Sequence, residues 1–210
     1  MAKITTLYYI HDPMCSWCWG FKPILSSLIE KLSNTLEIKF ILGGLAEDSD
    51  VTMPPELQSQ IRSNWLRIQE TIPGTEFNFD FWHKNTPRRS TYPACRAVIA
   101  ARKQITDTND IEKSMINSIQ KAYYLQARNP SDYNVLYDLA EQLTLDLNKF
   151  KADIHSSSTQ DELMQEINFS RSIGTSSLPS LYLDKASKIY PIVLDYNNVD
   201  IIFEHIKTYL

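Results

Sequence analysis

The chain has 210 residues, of which 43% are hydrophobic, so it is long enough to bury a substantial core. Its formal net charge of −4 offers no basic surface for nucleic acid or an anionic membrane. The chain contains no run of 18 apolar residues, so no membrane span is predicted, and residues 1–6 lack the apolar stretch of a secretory signal. Three cysteines are too few for a disulfide framework, so we expect a cytoplasmic protein with one working cysteine pair.

The first predicted unit is a strand, a helix and a second strand. Residues 4–10 are rich in β-branched and aromatic side chains and predict a buried strand, which Asp12-Pro13 ends. A helix follows from Cys15 to about Leu32, and residues 38–42 form the second strand. This order predicts a βαβ unit with a right-handed crossover.

Two cysteines stand at the start of that first helix, in the sequence Cys15-Ser16-Trp17-Cys18. Their spacing places both sulfurs within one helical turn, close enough to form a disulfide with little backbone movement. The first turn of a helix also presents unpaired N–H groups and the positive end of the helix dipole, which stabilise a sulfur anion. A strand, a tight turn and a helix headed by CxxC together indicate redox chemistry.

The next hundred or so residues show only helical periodicity. Residues 74–87 predict an aromatic-rich connecting loop, and Asn109 with Glu112 predicts a capping box. Helices are expected after Pro54-Pro55, after Tyr92-Pro93, from Asn109, after Pro130-Ser131 and from Leu145. We therefore predict a helical insertion over residues 46–157 of an α/β domain formed by residues 1–45 and 158–210.

The C-terminal part returns to mixed structure. Thr159 and Glu162 predict a second capping box, whose helix stops at Gly174. Strands over 180–183 and 189–194 predict an antiparallel hairpin, and Pro191 places the second at a sheet edge. A last helix is expected over residues 197–210.

This order of elements resembles the thioredoxin fold with a helical insertion, as found in DsbA-like thiol–disulfide oxidoreductases. The most specific residues are the CxxC motif, Pro23 at the helix-kink position and Ser177-Leu178-Pro179-Ser180 before the third strand. The run Asp12 to Phe21, Gly43-Gly44 and residues 93–97 look most like the FrnE-like branch. That branch is related to 2-hydroxychromene-2-carboxylate isomerases and kappa-class glutathione transferases.

The resemblance implies a function and a set of site residues. Cys15 would attack a disulfide and Cys18 would resolve the mixed disulfide. Pro179 would be the cis-proline facing the cysteines, while Trp17 and the backbone of Leu178 would contact substrate. The expected partners are thiols or disulfides of proteins or small molecules. No cofactor is implied, and glutathione stays open as a co-substrate.

Two other functions stay open. The isomerase and transferase relatives have serine where this chain has Cys15, which disfavours glutathione-dependent isomerisation or transfer. A non-catalytic module that binds a partner and uses the cysteine pair as a redox sensor is the second. The dipeptide Ser16-Trp17 offers no cationic partner for the sulfur, so the strong oxidising power of periplasmic DsbA is not expected here.

Several other residues receive structural predictions. Only Cys95 and four scattered histidines are available to complete a zinc site with the pair, so no metal site is expected. Cys95 is predicted to be a buried inert thiol, and His11 an ordinary strand-end histidine. Asp12 is predicted to be a turn residue, and Arg88-Arg89 a solvated loop pair.

Overall fold

The computed structural model describes residues 5–32, 35–104 and 108–210, except for the side chains of residues 108–110. Ile4 of the predicted first strand and the Asn109 side chain of the predicted capping box lie outside the described residues. The strands are β1 Thr6–His11, β2 Glu37–Leu42, β3 Ser180–Lys185 and β4 Lys188–Ile192. The helices are α1 Ser16–Leu32, α2 Pro55–Thr71, α3 Phe81–Lys84, α4 Tyr92–Arg102, α5 Thr108–Tyr124, α6 Tyr133–Gln142, α7 Leu147–Ile154, α8 Ser157–Ser172 and α9 Val199–Lys207.

The strands described form one sheet in the order β2-β1-β3-β4. Strand β1 pairs with β2 in parallel, as a βαβ unit requires, and pairs with β3 in antiparallel fashion. Strand β4 lies at one edge of the sheet. Pro191 has no N–H to donate, and this is tolerated there because no further strand pairs with that side of β4 among the described residues. The α/β class and thioredoxin fold predicted from the order of elements are confirmed, and β1 brings the cysteine motif to the middle of the sheet.

Helices cover both faces of this sheet because neighbouring side chains of a strand point in opposite directions. Leu7 and Tyr9 of β1 belong to a core cluster with the buried side of α1 and with Ile202 and Ile206 of α9. Tyr8, between them, points the other way and packs edge-on against Phe169 of α8, with ring centroids 4.9 Å apart. The central strand is therefore enclosed on both sides.

The helical region between β2 and α8 has two cores. Helix α4 is almost entirely buried, and its residues from Tyr92 to Ala101, apart from Pro93 and Arg96, join a large hydrophobic cluster with α5, α6, α7 and α8. An aromatic cluster lies nearer the cysteines and surrounds Trp65, which is fully buried. Its other buried members are Met53, Phe81, Trp82, Tyr123, Tyr124 and Ala127. The predicted loop over residues 74–87 is wrong in part, because Phe81–Lys84 forms a short helix that adds two of these rings.

Two further local predictions are corrected. The N-cap of α8 is Ser156, whose hydroxyl accepts a hydrogen bond from Thr159 N at 3.2 Å, so Thr159 lies inside the helix rather than capping it. The predicted strands over 180–183 and 189–194 are too far apart at the turn, because β3 runs to Lys185 and β4 begins at Lys188, which leaves only Ala186 and Ser187 between them. Both have positive φ angles, 54° and 69°, as a two-residue hairpin turn requires.

Candidate active site at the start of helix α1

A tight turn places Cys15 immediately before the first residue of α1. Cys15 N donates to Asp12 O at 3.0 Å, and Cys15 O accepts from Trp19 N at 3.0 Å. Cys15 is therefore the N-cap, and the helix begins at Ser16, one residue later than predicted. The sulfur consequently lies where the first N–H groups of the helix have no intrahelical acceptor.

The Cys15 sulfur has two polar neighbours from different parts of the chain. Its Sγ accepts from Cys18 N at 3.3 Å and donates to Leu178 O at 3.5 Å. The first contact aims a backbone N–H at the sulfur, which favours a sulfur anion. The second joins the start of α1 to the loop before β3. Cys15 remains only 5% exposed in this position.

Cys18 lies one turn further into the helix and is more deeply buried. It is 1% exposed, and burial together with the neighbouring Cys15 thiol raises the pKa of Cys18 well above its usual value. Both cysteines are free thiols in this structure. The geometry therefore separates an outer sulfur with a donor aimed at it from an inner sulfur that holds its proton.

The loop before β3 carries the other sequence-predicted residues. The Leu178–Pro179 peptide bond is cis, and Pro179 is buried. The Leu178 side chain packs against Gly43, at the end of β2. A Cβ at position 43 would lie 2.8 Å from Leu178 Cδ2, so only glycine leaves the leucine its present place. The loop after β2 and the loop before β3, which lie on either side of β1, thereby pack against each other beside Cys15.

A cavity of about 200 Å³ opens beside Cys15, and Trp17 and Leu178 also line it. Pro179 is not among the lining residues. Trp17 is half-buried rather than fully exposed, because its ring packs on Tyr196, with centroids 5.1 Å apart, and beneath the guanidinium of Arg67. The structure thus brings Cys15, Trp17 and Leu178 to one cavity and leaves Cys18 and Pro179 behind it.

Two arginines line the same cavity, and none of the described residues that line it carries a carboxylate side chain. Arg88 is not the solvated residue predicted, because its guanidinium pairs with Asp132 at 2.6 Å and donates to Ser131 O at 2.8 Å. Arg89 is exposed and forms no salt bridge or side-chain hydrogen bond within the described residues. One uncompensated positive charge therefore stands at the cavity beside the outer sulfur.

Asp12 is the residue that the sequence interpretation missed. It is fully buried, and its carboxylate accepts hydrogen bonds from Met14 N at 2.7 Å, Leu45 N at 2.8 Å and the Thr91 hydroxyl at 2.7 Å. A fourth donor is the Cys95 thiol at 3.5 Å. Burial raises the pKa of Asp12, although these donors oppose the shift. Asp12 thus ties the cysteine turn to the loop after β2 and to α4.

Cys95 is fully buried on α4, in agreement with the prediction. Its thiol donates a hydrogen bond to the carboxylate of Asp12, and burial raises the pKa of Cys95 well above its usual value. A thiol in this setting is a hydrogen-bond donor and a packing residue. Among the described residues, no group of three or more His, Cys, Asp or Glu side chains could hold a metal ion.

His11, the last residue of β1, is also fully buried. Its ring stacks on Tyr9 with centroids 5.1 Å apart, and its Nε2 has no hydrogen-bond partner among the described residues. Burial, helped by the positive charge of Arg102, lowers the pKa of His11 from 6.5 to about 3. The imidazole is therefore neutral at every pH at which the protein is expected to work.

This lowered pKa predicts a pH-dependent stability. A base whose folded-state pKa is depressed stabilises the fold fully above its unfolded pKa, and that stability is lost as pH falls from about 6.5 toward 3. Between pH 7 and pH 5 the loss due to His11 is about 2 kcal/mol. Urea unfolding of the wild type and of His11→Phe at both pH values measures it. Equal losses in the two proteins would contradict this prediction.

The fold and the paired cysteines beside a cis-proline loop define a thioredoxin-fold protein of the DsbA-like type. A family model described as Thioredoxin matches residues 8–200, so the chain belongs to that thioredoxin family. Among solved structures, a candidate protein disulfide isomerase of Nitrosomonas europaea is 25% identical with a TM-score of 0.84, covering 99% of this chain and 98% of that one. The cytosolic disulfide reductase DsbM of Pseudomonas aeruginosa is 23% identical with a TM-score of 0.77, over 97% and 98%.

Curated relatives carry a different description. The ClpXP adapter protein SpxH of Halalkalibacterium halodurans is 25% identical over 182 residues, which is 85% of this chain. The SpxH of Bacillus subtilis is 24% identical over 180 residues. The chain spans only 58% of the length of each of these two relatives. The predicted resemblance to DsbA-like proteins is confirmed by the fold.

Proposed function

We propose that this chain is a thiol–disulfide oxidoreductase in which Cys15 is the nucleophile and Cys18 the resolving cysteine. The position of the Cys15 sulfur carries the proposal, since it lies between the Cys18 N–H and the Leu178 carbonyl. An N–H donor supports the sulfur as an anion, and the carbonyl marks the edge where a substrate backbone would lie. The related fold of DsbM, a disulfide reductase, supports the same chemistry.

The first step is attack of the Cys15 thiolate on a substrate disulfide. A bond forms between Cys15 Sγ and one substrate sulfur while the substrate S–S bond breaks. The other substrate sulfur leaves as a thiolate and takes a proton from water. Cys15 suits this role because it lines the open cavity, whereas Cys18 does not.

The second step is resolution by Cys18. Its thiol loses a proton, its sulfur attacks Cys15 Sγ, and the bond between Cys15 and the substrate breaks. The substrate is then fully reduced to two thiols, and the chain holds a Cys15–Cys18 disulfide. The reverse sequence would oxidise a dithiol. Trp17 would supply a flat apolar surface for substrate, and the backbone of Leu178, oriented by Pro179, would pair with an extended segment.

Glutathione is proposed as a small co-substrate, while no bound cofactor is needed for this chemistry. Arg89 supports this, because an unpaired guanidinium beside Cys15 suits the carboxylates of a small acidic peptide. The structure of DsbM with GSH has a TM-score of 0.74 to this chain and 23% identity, covering 98% of this chain and 100% of that one. Turnover of glutathione disulfide by the wild-type chain tests the proposal.

A variant in which Cys18 is serine tests the assignment of the two sulfurs. Cys18→Ser is expected to stop after the first step, because a serine hydroxyl does not displace the substrate from Cys15. A covalent adduct should then accumulate on incubation with a disulfide substrate, at one per chain by intact mass spectrometry. Reduction should release it, and peptide mapping should place it on Cys15. An adduct on Cys95 instead, or none at all, would contradict the proposal.

A second candidate function is binding of a protein partner without turnover, which the SpxH relatives favour. In that case the cysteine pair would act as a sensor or remain idle. Failure to turn over any disulfide, despite a reducible Cys15–Cys18 bond, would support this candidate. In either case we propose that the chain works in the cytoplasm, as the cytosolic DsbM does. Within the described residues, every helix is too short or too polar to cross a membrane.

A further inference from the structure

A second cavity lies behind the cysteine pair, between α1 and α5, with a volume of about 120 Å³. Cys18 lines this cavity and not the one beside Cys15, while Cys15 lines only the cavity at the front. The two cavities share none of their lining residues. Each cysteine of the pair therefore lines a different cavity.

Two buried polar residues, His11 and Gln120, line this rear cavity. His11 Nε2 has no hydrogen-bond partner among the described residues, and Gln120 is 4% exposed. The volume is well above the roughly 10–15 Å³ that one water molecule needs, so several water molecules fit. Because His11 stays neutral, it can hydrogen-bond such water without taking a charge. Buried water with these partners would reach the wall that Cys18 forms.

The outer end of the rear cavity is formed by groups that meet solvent. Lys22 lies four residues after Cys18 on α1, and its ammonium hydrogen-bonds Asn117 Oδ1 across the gap to α5. Lys113, which is exposed, lines the same end. No carboxylate is among the lining residues. A proton leaving Cys18 by this way would therefore pass through water and amides rather than onto an acidic side chain.

The proposed reaction requires a path by which the proton of Cys18 can reach solvent. Resolution requires the Cys18 thiol, 1% exposed, to lose its proton before it attacks Cys15 Sγ. While the substrate remains bound to Cys15, it fills the front cavity, which Cys18 does not line in any case. We infer that the rear cavity is the proton route of Cys18, a deduction that rests on the proposed function. Gln120 and Lys22 are then positioning residues that hold its water.

The balance of the step is simple. The Cys18 proton passes to cavity water and on to bulk water past Lys22, which leaves a thiolate on Cys18. That sulfur forms a bond with Cys15 Sγ as the bond between Cys15 and substrate breaks. The departing substrate thiolate takes a proton from solvent at the front. Two electrons pass from the cysteine pair to the substrate, and no further oxidant or reductant is required.

The test measures the two chemical steps separately by rapid mixing with a disulfide whose two halves absorb at different wavelengths. Gln120→Leu keeps a similar volume and removes the amide. It is expected to slow release of the second half about tenfold and to leave release of the first half unchanged. The slowed step should also show a larger rate ratio between H₂O and D₂O. Gln120→Asn, which keeps an amide, and Ile116→Leu, on the apolar wall, are the matched controls and should behave as wild type.

Lys22→Met, at the half-buried rim, gives an independent variant that does not depend on core packing. Slower second release in both variants, with normal first release, supports the route. Unchanged second release in both overturns it, as does equal slowing of both releases or an unchanged isotope ratio. Failure of the proposed function is a separate result, because the wild-type chain would then release neither half.

Discussion

Cys15→Ser is expected to lower disulfide turnover by roughly a thousandfold or more, because the attacking atom itself is removed. A serine hydroxyl at this N-cap still accepts from the N–H of residue 18, since serine is a favoured N-cap residue, so the turn and helix should persist. Loss of activity would then report loss of the sulfur rather than loss of the fold. Reduction of insulin or glutathione disulfide by a thiol reductant gives the measurement, and near wild-type turnover would end the proposed function.

The third cysteine provides a matched control for this experiment. Cys95→Ser also replaces one sulfur by oxygen, and its hydroxyl can still donate to Asp12 at the place where the thiol does. Because Cys95 is fully buried and outside the cavity beside Cys15, turnover should stay within about threefold of wild type. A large loss in this variant would mean that Cys95 takes part in the exchange.

Asp12→Asn is expected to destabilise the fold by about 3 kcal/mol. The carboxylate accepts from donors on both its oxygens, among them Met14 N on Oδ1 and Leu45 N and the Thr91 hydroxyl on Oδ2. An amide replaces one oxygen with an NH₂ group, which would face a buried N–H donor in place of its acceptor. The free energy of unfolding in urea measures the loss.

Thr91→Val serves as the control, because it removes one donor to the carboxylate, together with the acceptor of Ala46 N, and leaves the carboxylate in place. About 1–2 kcal/mol is expected from this change. Since Asp12 also holds the turn before Cys15, Asp12→Asn should slow the first chemical step as well. A stability equal to wild type in Asp12→Asn would show that the carboxylate is not the anchor of this turn.

Much of the fold could be predicted from local pattern. The β-branched run before Asp12, the apolar spacing of α1 and the glycines after β2 each reflect short-range physical preferences that the structure keeps. The cysteine motif could be located because its spacing has few structural meanings. The position of the Pro179 loop came from resemblance, as no local pattern brings residue 178 to residue 15.

The missed features depend on long-range contacts. Asp12 reads as an ordinary turn residue, since its partners Thr91 and Cys95 lie about eighty positions away in the chain. Arg88 reads as solvated because its partner Asp132, the N-cap residue of α6, lies 44 positions further along the chain. The α8 cap was misplaced because residues 156–159 are all Ser or Thr, and any could supply the hydroxyl. In each case the residue could have had several roles by its local sequence, and contacts with residues distant in the chain determine which role it has.

The absence of a side chain at position 43 has an evolutionary consequence. Gly43 packs against Leu178, so two positions that lie far apart in the sequence restrict each other's side chains. A smaller residue at 178 would relieve the two shortest contacts of an alanine Cβ at 43, leaving Ile10 Cγ2 at 3.3 Å as its nearest neighbour, and a larger residue would tighten them. Selection for a new substrate could therefore proceed by paired replacements at these two sites, leaving the sulfur chemistry untouched.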